Sequence, residues 1–153
     1  MPRVSANRDM HAYGVARLAQ LMFAVELDRR SREGNWGLMS NAAHPGLAKT
    51  GLLSGSSYGR DKPTLANRLT RWTWHLIPLM WLDIDEAIKP TLYAAVSQEA
   101  AGGTYYGPRG IYQTAGGGVT FAKVPRSYRN EGEARRLWEL SEQLTGVTYP
   151  LAT

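Results

Sequence analysis

Apolar side chains recur at helical spacing near the start of the chain. Between residues 10 and 33, Ala12, Ala16, Ala19, Phe23 and Leu27 mark one face, and Leu18, Met22 and Val25 mark another. A helix that is apolar on most sides is expected to be buried. Gly34 is expected to end it, after the charged run 28–33. The next stretch, NWGLMSNAAHPG, is mostly apolar without strict alternation. Its first part therefore predicts a short strand covered on both faces. His44-Pro45-Gly46 stops that strand, because Pro45 cannot donate a ladder hydrogen bond and Gly46 permits a sharp turn.

Residues 51–63 are rich in Gly and Ser and predict a loop. Residues 64–82 predict one or two short helices bent at Pro78. DIDEAIKPTLYAAVSQEA opens with Asp83 and Glu86 at capping-box spacing and predicts a helix that Pro90 kinks. GGTYYGPRG predicts a brief strand and turn, and AGGGV a loop. NEGEARRLWELSEQLTG predicts a closing helix, capped by Asn130 with Glu133 three positions on and ended by Gly146.

Strand, loop, helix and strand in that order imply a parallel pair, and parallel sheets normally have more members and both faces covered. The fold class expected is α/β, mostly helical with two or three short strands. Residues 1–153 read as one partial domain, the second part of a Rossmann-like doubly wound domain whose nucleotide-binding first part is absent. A strand edge left open in such a chain would seek a partner.

The formal charge of +5 raises nucleic acid as a partner. The cations are scattered, however, and Arg29 and Arg30 have Glu26, Asp28 and Glu33 as neighbours, whereas a nucleic-acid stripe clusters its charge on one face. No nucleic-acid partner is expected. The absence of cysteine excludes disulfides and cysteine-based zinc sites. His44 and two scattered histidines do not make a metal site, and His44 reads as a strand terminator. The longest apolar run, HLIPLMWL, is too short for a membrane span, and the N-terminus has no signal-peptide core, so a cytoplasmic location is expected.

Tyr13 and Arg17 stand four positions apart, on one face of the first helix. Such pairs are common on helices, and spacing alone reads as a tyrosine beside a surface charge. Their neighbours change the picture. AYGVARLAQLMFAVELDRR resembles the active-site helix of the classical short-chain dehydrogenases/reductases, usually Tyr-x-x-x-Lys-Leu-Ala-Asn followed by an apolar run and Glu-Leu. AAHPGLAKTGL resembles the Pro-Gly turn after that family's sixth strand, GGTYYGPRG its final-strand region, and ARRLWELSEQLTG its closing helix. Four segments in family order cover nearly the whole chain, with retinol-dehydrogenase-like and WW-domain-oxidoreductase-like members the nearest in pattern.

The resemblance implies that Tyr13 is the general acid or base of an alcohol/carbonyl interconversion in which NAD or NADP carries the hydride. It places Arg17 at the family's lysine, beside the tyrosine and the nicotinamide ribose. It gives Thr50 the bond to the nicotinamide carboxamide, with Pro45 and Gly46 shaping that wall. The aromatic stretch holding Trp72, Trp74 and Trp81 falls where the family builds its substrate lid, implying a hydrophobic alcohol or carbonyl substrate. The family's Gly-rich nucleotide turn has no counterpart here, and Ser5 does not stand in for the upstream catalytic serine. Two function classes follow. One is an oxidoreductase chain inactive alone. The other is a non-catalytic module that forms a homo-oligomer or pairs with a full-length relative through the Tyr13 helix.

Overall fold

The computed structural model describes residues 6–48, 69, 72, 82–110, 113, 117–124, 128 and 130–149. In chain order the elements are α1 (Ala6–Glu33), β1 (Ala42–Ala43), α2 (Ile84–Ala87), α3 (Lys89–Val96), β2 (Tyr105–Pro108), β3 (Val119–Phe121) and α4 (Glu131–Thr145). The strands form one sheet in the order β1-β2-β3. The Ala42 N–H bonds to the Thr104 oxygen and the His44 N–H to that of Tyr106. Donors and acceptors advance together, so β1 and β2 are parallel, as the element order required. β3 runs antiparallel to β2, with Tyr106 opposite Phe121. The sequence predicted a loop ending at Val119 and no element directly after it; in the structure Gly117 and Gly118 turn the chain, and Val119 begins pairing.

The chain divides into two compact units. The first comprises Met1–Ala42, Ala101–Tyr105 and Val124–Thr153. Its core is α4 packed on the second half of α1. Trp138 is fully buried, stacked on Phe23 at 4.7 Å and close to Tyr149 at 4.8 Å. The Arg30 guanidinium lies over the same indole, 4.8 Å from its ring centre. Asn130 and Gly146 cap α4 as predicted: the Asn130 side chain accepts from the Glu133 N–H at 3.2 Å, and Gly146 turns left-handed at φ 68°.

α1 departs from the expected buried helix. Residues 11–17 are exposed, because α4 meets only the later turns. Those later turns bury charge as well as apolar surface. Glu26, 1% exposed, accepts from Arg29 at 2.6 and 2.7 Å and from Arg30 at 2.7 Å. Burial opposes its ionisation, but the bonds and charges of the two arginines outweigh that and hold the carboxyl below the usual glutamate range. Buried Asp28 pairs with Arg32 at 3.0 Å and accepts from the Ser40 N–H at 3.1 Å. A Cβ on Gly102 would fall 1.8 Å from that carboxylate, so glycine is required there. The helix ends after Glu33, but the left-handed residue is Asn35 at φ 50°, not Gly34. Gly34 serves differently: a Cβ on it would strike the Trp36 indole at 2.3 Å.

The second unit comprises Ala43–Ala100 and Tyr106–Lys123. Ala48, Leu82 and Ala87 form its small apolar cluster. Tyr106 meets Tyr93 edge-on at 5.2 Å and Phe121 at 5.8 Å, which ties α3 to the sheet. Asp83 occupies the N-cap of α2, but no side-chain cap bond forms; the Glu86 carboxylate instead takes Lys89 at 2.5 Å. The predicted kink at Pro90 is a break at Ile88. Pro90 then lies in the first turn of α3, where a missing N–H costs no helical bond. Of the predicted 64–82 helices, Leu69 and Trp72 are helical and exposed; Trp74 and Trp81 lie outside the described residues.

Trp138→Ala is expected to lower stability by about 3–5 kcal/mol, measured by denaturant unfolding, because it empties the contact between α1 and α4. Glu26 adds an acid dependence. Its carboxyl titrates lower in the folded chain than unfolded, so its stabilisation is complete above the ordinary value of 4.5 and is lost as pH falls through the lowered one. Thermal melts from pH 7 to 3 are expected to show this limb, and Glu26→Gln is expected to flatten it.

Candidate functional site

α1 brings Tyr13 and Arg17 together. The Arg17 Nε–H donates to the Tyr13 hydroxyl oxygen at 3.2 Å, and the guanidinium carbon stands 5.2 Å from the ring centre. The guanidinium is held from the other side as well, since Arg17 Nη1 donates to Gln20 Oε1 at 3.2 Å. One helix therefore lines up amide, cation and phenol along a single face. Tyr13 is 57% exposed, so its hydroxyl is within reach of a molecule in solution. Because Arg17 donates to the phenol oxygen, the hydroxyl hydrogen points elsewhere and can serve a carbonyl oxygen.

A second phenol belongs to this neighbourhood. Tyr105, at the start of β2 and half-buried, holds its proton more tightly than an ordinary phenol because burial disfavours phenolate. The charge of Arg17 pulls the other way and Tyr13 adds to the rise, so the three groups are electrostatically coupled. Neither Gln20 nor Tyr105 was among the residues singled out from sequence. Gln20 was accessible there, since it lies three positions beyond Arg17 where the family pattern has asparagine. Tyr105 comes from a remote segment and carried no local signal.

The Pro45–Gly46 turn lies in the second unit. Gly46 adopts φ 72°, and its N–H donates to His44 Nδ1 at 3.3 Å. Neutral His44 therefore carries its proton on Nε2. The imidazole lies over Gly107, where a Cβ would come within 2.1 Å of Nε2. Burial makes His44 harder to protonate than an ordinary histidine. His44 thus secures the turn that ends β1. Among the described residues no group of three or more metal-ligating side chains converges. Thr50 lies outside the described residues. A dinucleotide pyrophosphate finds no cradle at Gly117 and Gly118: a Cβ on Gly117 would meet the Glu86 carboxylate at 3.7 Å, and the glycines lead into a strand rather than a helix. Among the described residues no helix is long and apolar enough to cross a membrane.

The architecture is that of a mixed α/β domain portion with a tyrosine–arginine pair on its leading helix. No protein-family model matches the chain. It is 33% identical over 144 residues to retinol dehydrogenase 13 of Homo sapiens, covering 91% of this chain and 38% of that protein. Over 151 residues it is 28% identical to dehydrogenase/reductase SDR family member 13 of Bos taurus, covering 95% of this chain and 34% of that protein. A crystal structure of an uncharacterized protein from Mycobacterium paratuberculosis aligns with a TM-score of 0.60 at 32% identity, over 92% of this chain and 40% of the other. The chain spans a little over a third of the length of the curated relatives it matches. Its relatives are short-chain dehydrogenases/reductases, and the chain matches the C-terminal portion of their Rossmann-like domain.

His44 carries a measurable consequence. Its proton affinity is lower in the folded chain than in the unfolded one, so its stabilisation is complete above the ordinary value of 6.5 and declines as pH falls through and below it. His44→Asn, which keeps an acceptor but cannot titrate, is expected to remove that decline from the melting profile between pH 7 and 5.

Proposed function

We propose that this chain supplies the proton-transfer element of an NAD(P)-dependent oxidoreductase that interconverts a hydrophobic alcohol and its carbonyl. The observation that carries the reading is the Arg17–Tyr13 hydrogen bond at 3.2 Å on an exposed face. In the reducing direction the Tyr13 hydroxyl donates its proton to the carbonyl oxygen, and Arg17 stabilises the phenolate left behind. In the oxidising direction the phenolate takes the alcohol proton. Gln20 keeps the guanidinium aimed at the phenol oxygen throughout. NAD or NADP would supply hydride transfer. The described residues do not fit its pyrophosphate, so the family's nucleotide-binding segment is assigned that task and this chain alone is inactive. Pro45, Gly46 and Thr50 form the proposed nicotinamide wall. The retinol dehydrogenase names of the relatives support an apolar alcohol as the substrate class.

A second reading is a non-catalytic module that pairs with a full-length relative. It is favoured by the exposed front of α1, where Val15 is 52% exposed beside Tyr13. Co-purification of a full-length relative from native extracts, with no turnover in any combination, would favour it.

The test joins this chain to a nucleotide-binding segment of the family and follows NAD(P)H absorbance with long-chain primary alcohols and aldehydes. Turnover is expected, and Tyr13→Phe is expected to reduce it about 10²–10⁴-fold with cofactor binding retained. A fusion that binds NADH or NADPH and turns over equally well with Phe at position 13 contradicts the assignment.

A further inference from the structure

Among the described residues β3 is the outer strand of the sheet, and the hydrogen-bond register shows which of its backbone groups face outward. The Arg109 N–H donates inward to the Gly118 oxygen at 3.2 Å, and Gly107 stands opposite Thr120. Residues 118 and 120 therefore face β2, while Val119, Phe121 and Lys123 aim their N–H and C=O groups away from it. An outward row of this kind is a template for another strand.

In this chain side chains occupy that row. Gln113 Nε2 donates to the Phe121 oxygen at 2.8 Å, and the Lys123 N–H donates to Gln113 Oε1 at 2.6 Å. Arg109 Nη2 donates to the Val119 oxygen at 3.4 Å. The Gln113 amide is chemically a peptide group. It takes the carbonyl of one residue and the N–H of the next but one, which is how a single residue of a parallel neighbour straddles Ala122. To place it there the backbone of Gln113 adopts φ 58°, a left-handed conformation uncommon for a residue with a side chain.

The same edge is self-complementary. Val119 and Phe121 of one copy can exchange both bonds with Phe121 and Val119 of another across a twofold axis at Thr120. Phe121 is 70% exposed and would add apolar contact to the pairing.

We propose that Gln113, assisted by Arg109, guards this edge by filling the place of a fourth strand, and that the partner it excludes is the β3 edge of a second copy of this chain. The inference is independent of the oxidoreductase reading, since no residue in it takes part in the proposed chemistry. It assigns a role to a glutamine that neither the family motifs nor the sequence patterns single out.

The test is sedimentation velocity of the full chain over a concentration series. Gln113→Ala is expected to produce a larger species that grows with concentration and is absent from the parent under the same conditions. Adding Val119→Pro, which removes an outward N–H while leaving the inward pairs of 118 and 120, is expected to abolish it. A folded Gln113→Ala that sediments like the parent overturns the proposal. So does association that Val119→Pro leaves untouched, since it then arises elsewhere. Hydrogen exchange on the parent gives a reading that needs no variant: the Lys123 amide is expected to exchange at least tenfold more slowly than an unprotected amide, and exchange at the unprotected rate overturns the proposal.

Discussion

The contact on which the first unit depends is the burial of Trp138 against α1. Phe23 stacks on one side of the indole, Arg30 lies over it, and Tyr149 closes the remainder. A buried tryptophan contributes more apolar area than any other side chain, and here it joins two helices far apart in sequence. Its indole N–H has no partner among the described residues, so stacking and the cation fix its position. The arginine above it does double duty: Arg30 also neutralises Glu26, so packing and charge burial in the later turns of α1 are one interaction.

This arrangement divides α1 into two regimes. Its later turns shelter the carboxylates of Glu26 and Asp28 from water, with Arg29 and Arg30 partly buried against the first and Arg32 reaching the second from the surface. Its early turns stand exposed and carry the tyrosine, arginine and glutamine in line. A helix anchored at one end presents the other without needing contacts there. That is a workable base for the proposed proton-transfer pair, which a substrate would approach from solution.

Much of the local structure was legible because it rests on short-range rules. Asn130 and Gly146 bounded α4, and the order of segments implied the parallel pair of β1 and β2. The pairing of Tyr13 with Arg17 was readable from helical spacing, and the family pattern supplied the role proposed for it. The misses have a common cause, which is that they depend on distant partners. The exposed front of α1 follows from where α4 lands, a position periodicity does not encode. β3 was hidden because three residues after three glycines carry little pattern, and its pairing is set by β2. Asp83 looked like half of a capping box until Lys89 took the Glu86 carboxylate. Tyr105 joined the site from another segment. The glycines at 102 and 107 looked like ordinary turn or strand residues, yet each leaves room for one side chain, Asp28 and His44 respectively.

The central claim is that α1 alone assembles the pair proposed for proton transfer, with Arg17 Nε bonded to the Tyr13 oxygen. The most direct measurement is the Arg17 Nε–H resonance in a ¹⁵N-labelled chain, compared with the same resonance in Tyr13→Phe. The account predicts that it moves on loss of the hydroxyl while the Arg29 and Arg30 signals stay in place. An Arg17 resonance indifferent to the substitution would contradict the account, because the phenol and the guanidinium would then be neighbours on a helix and nothing more.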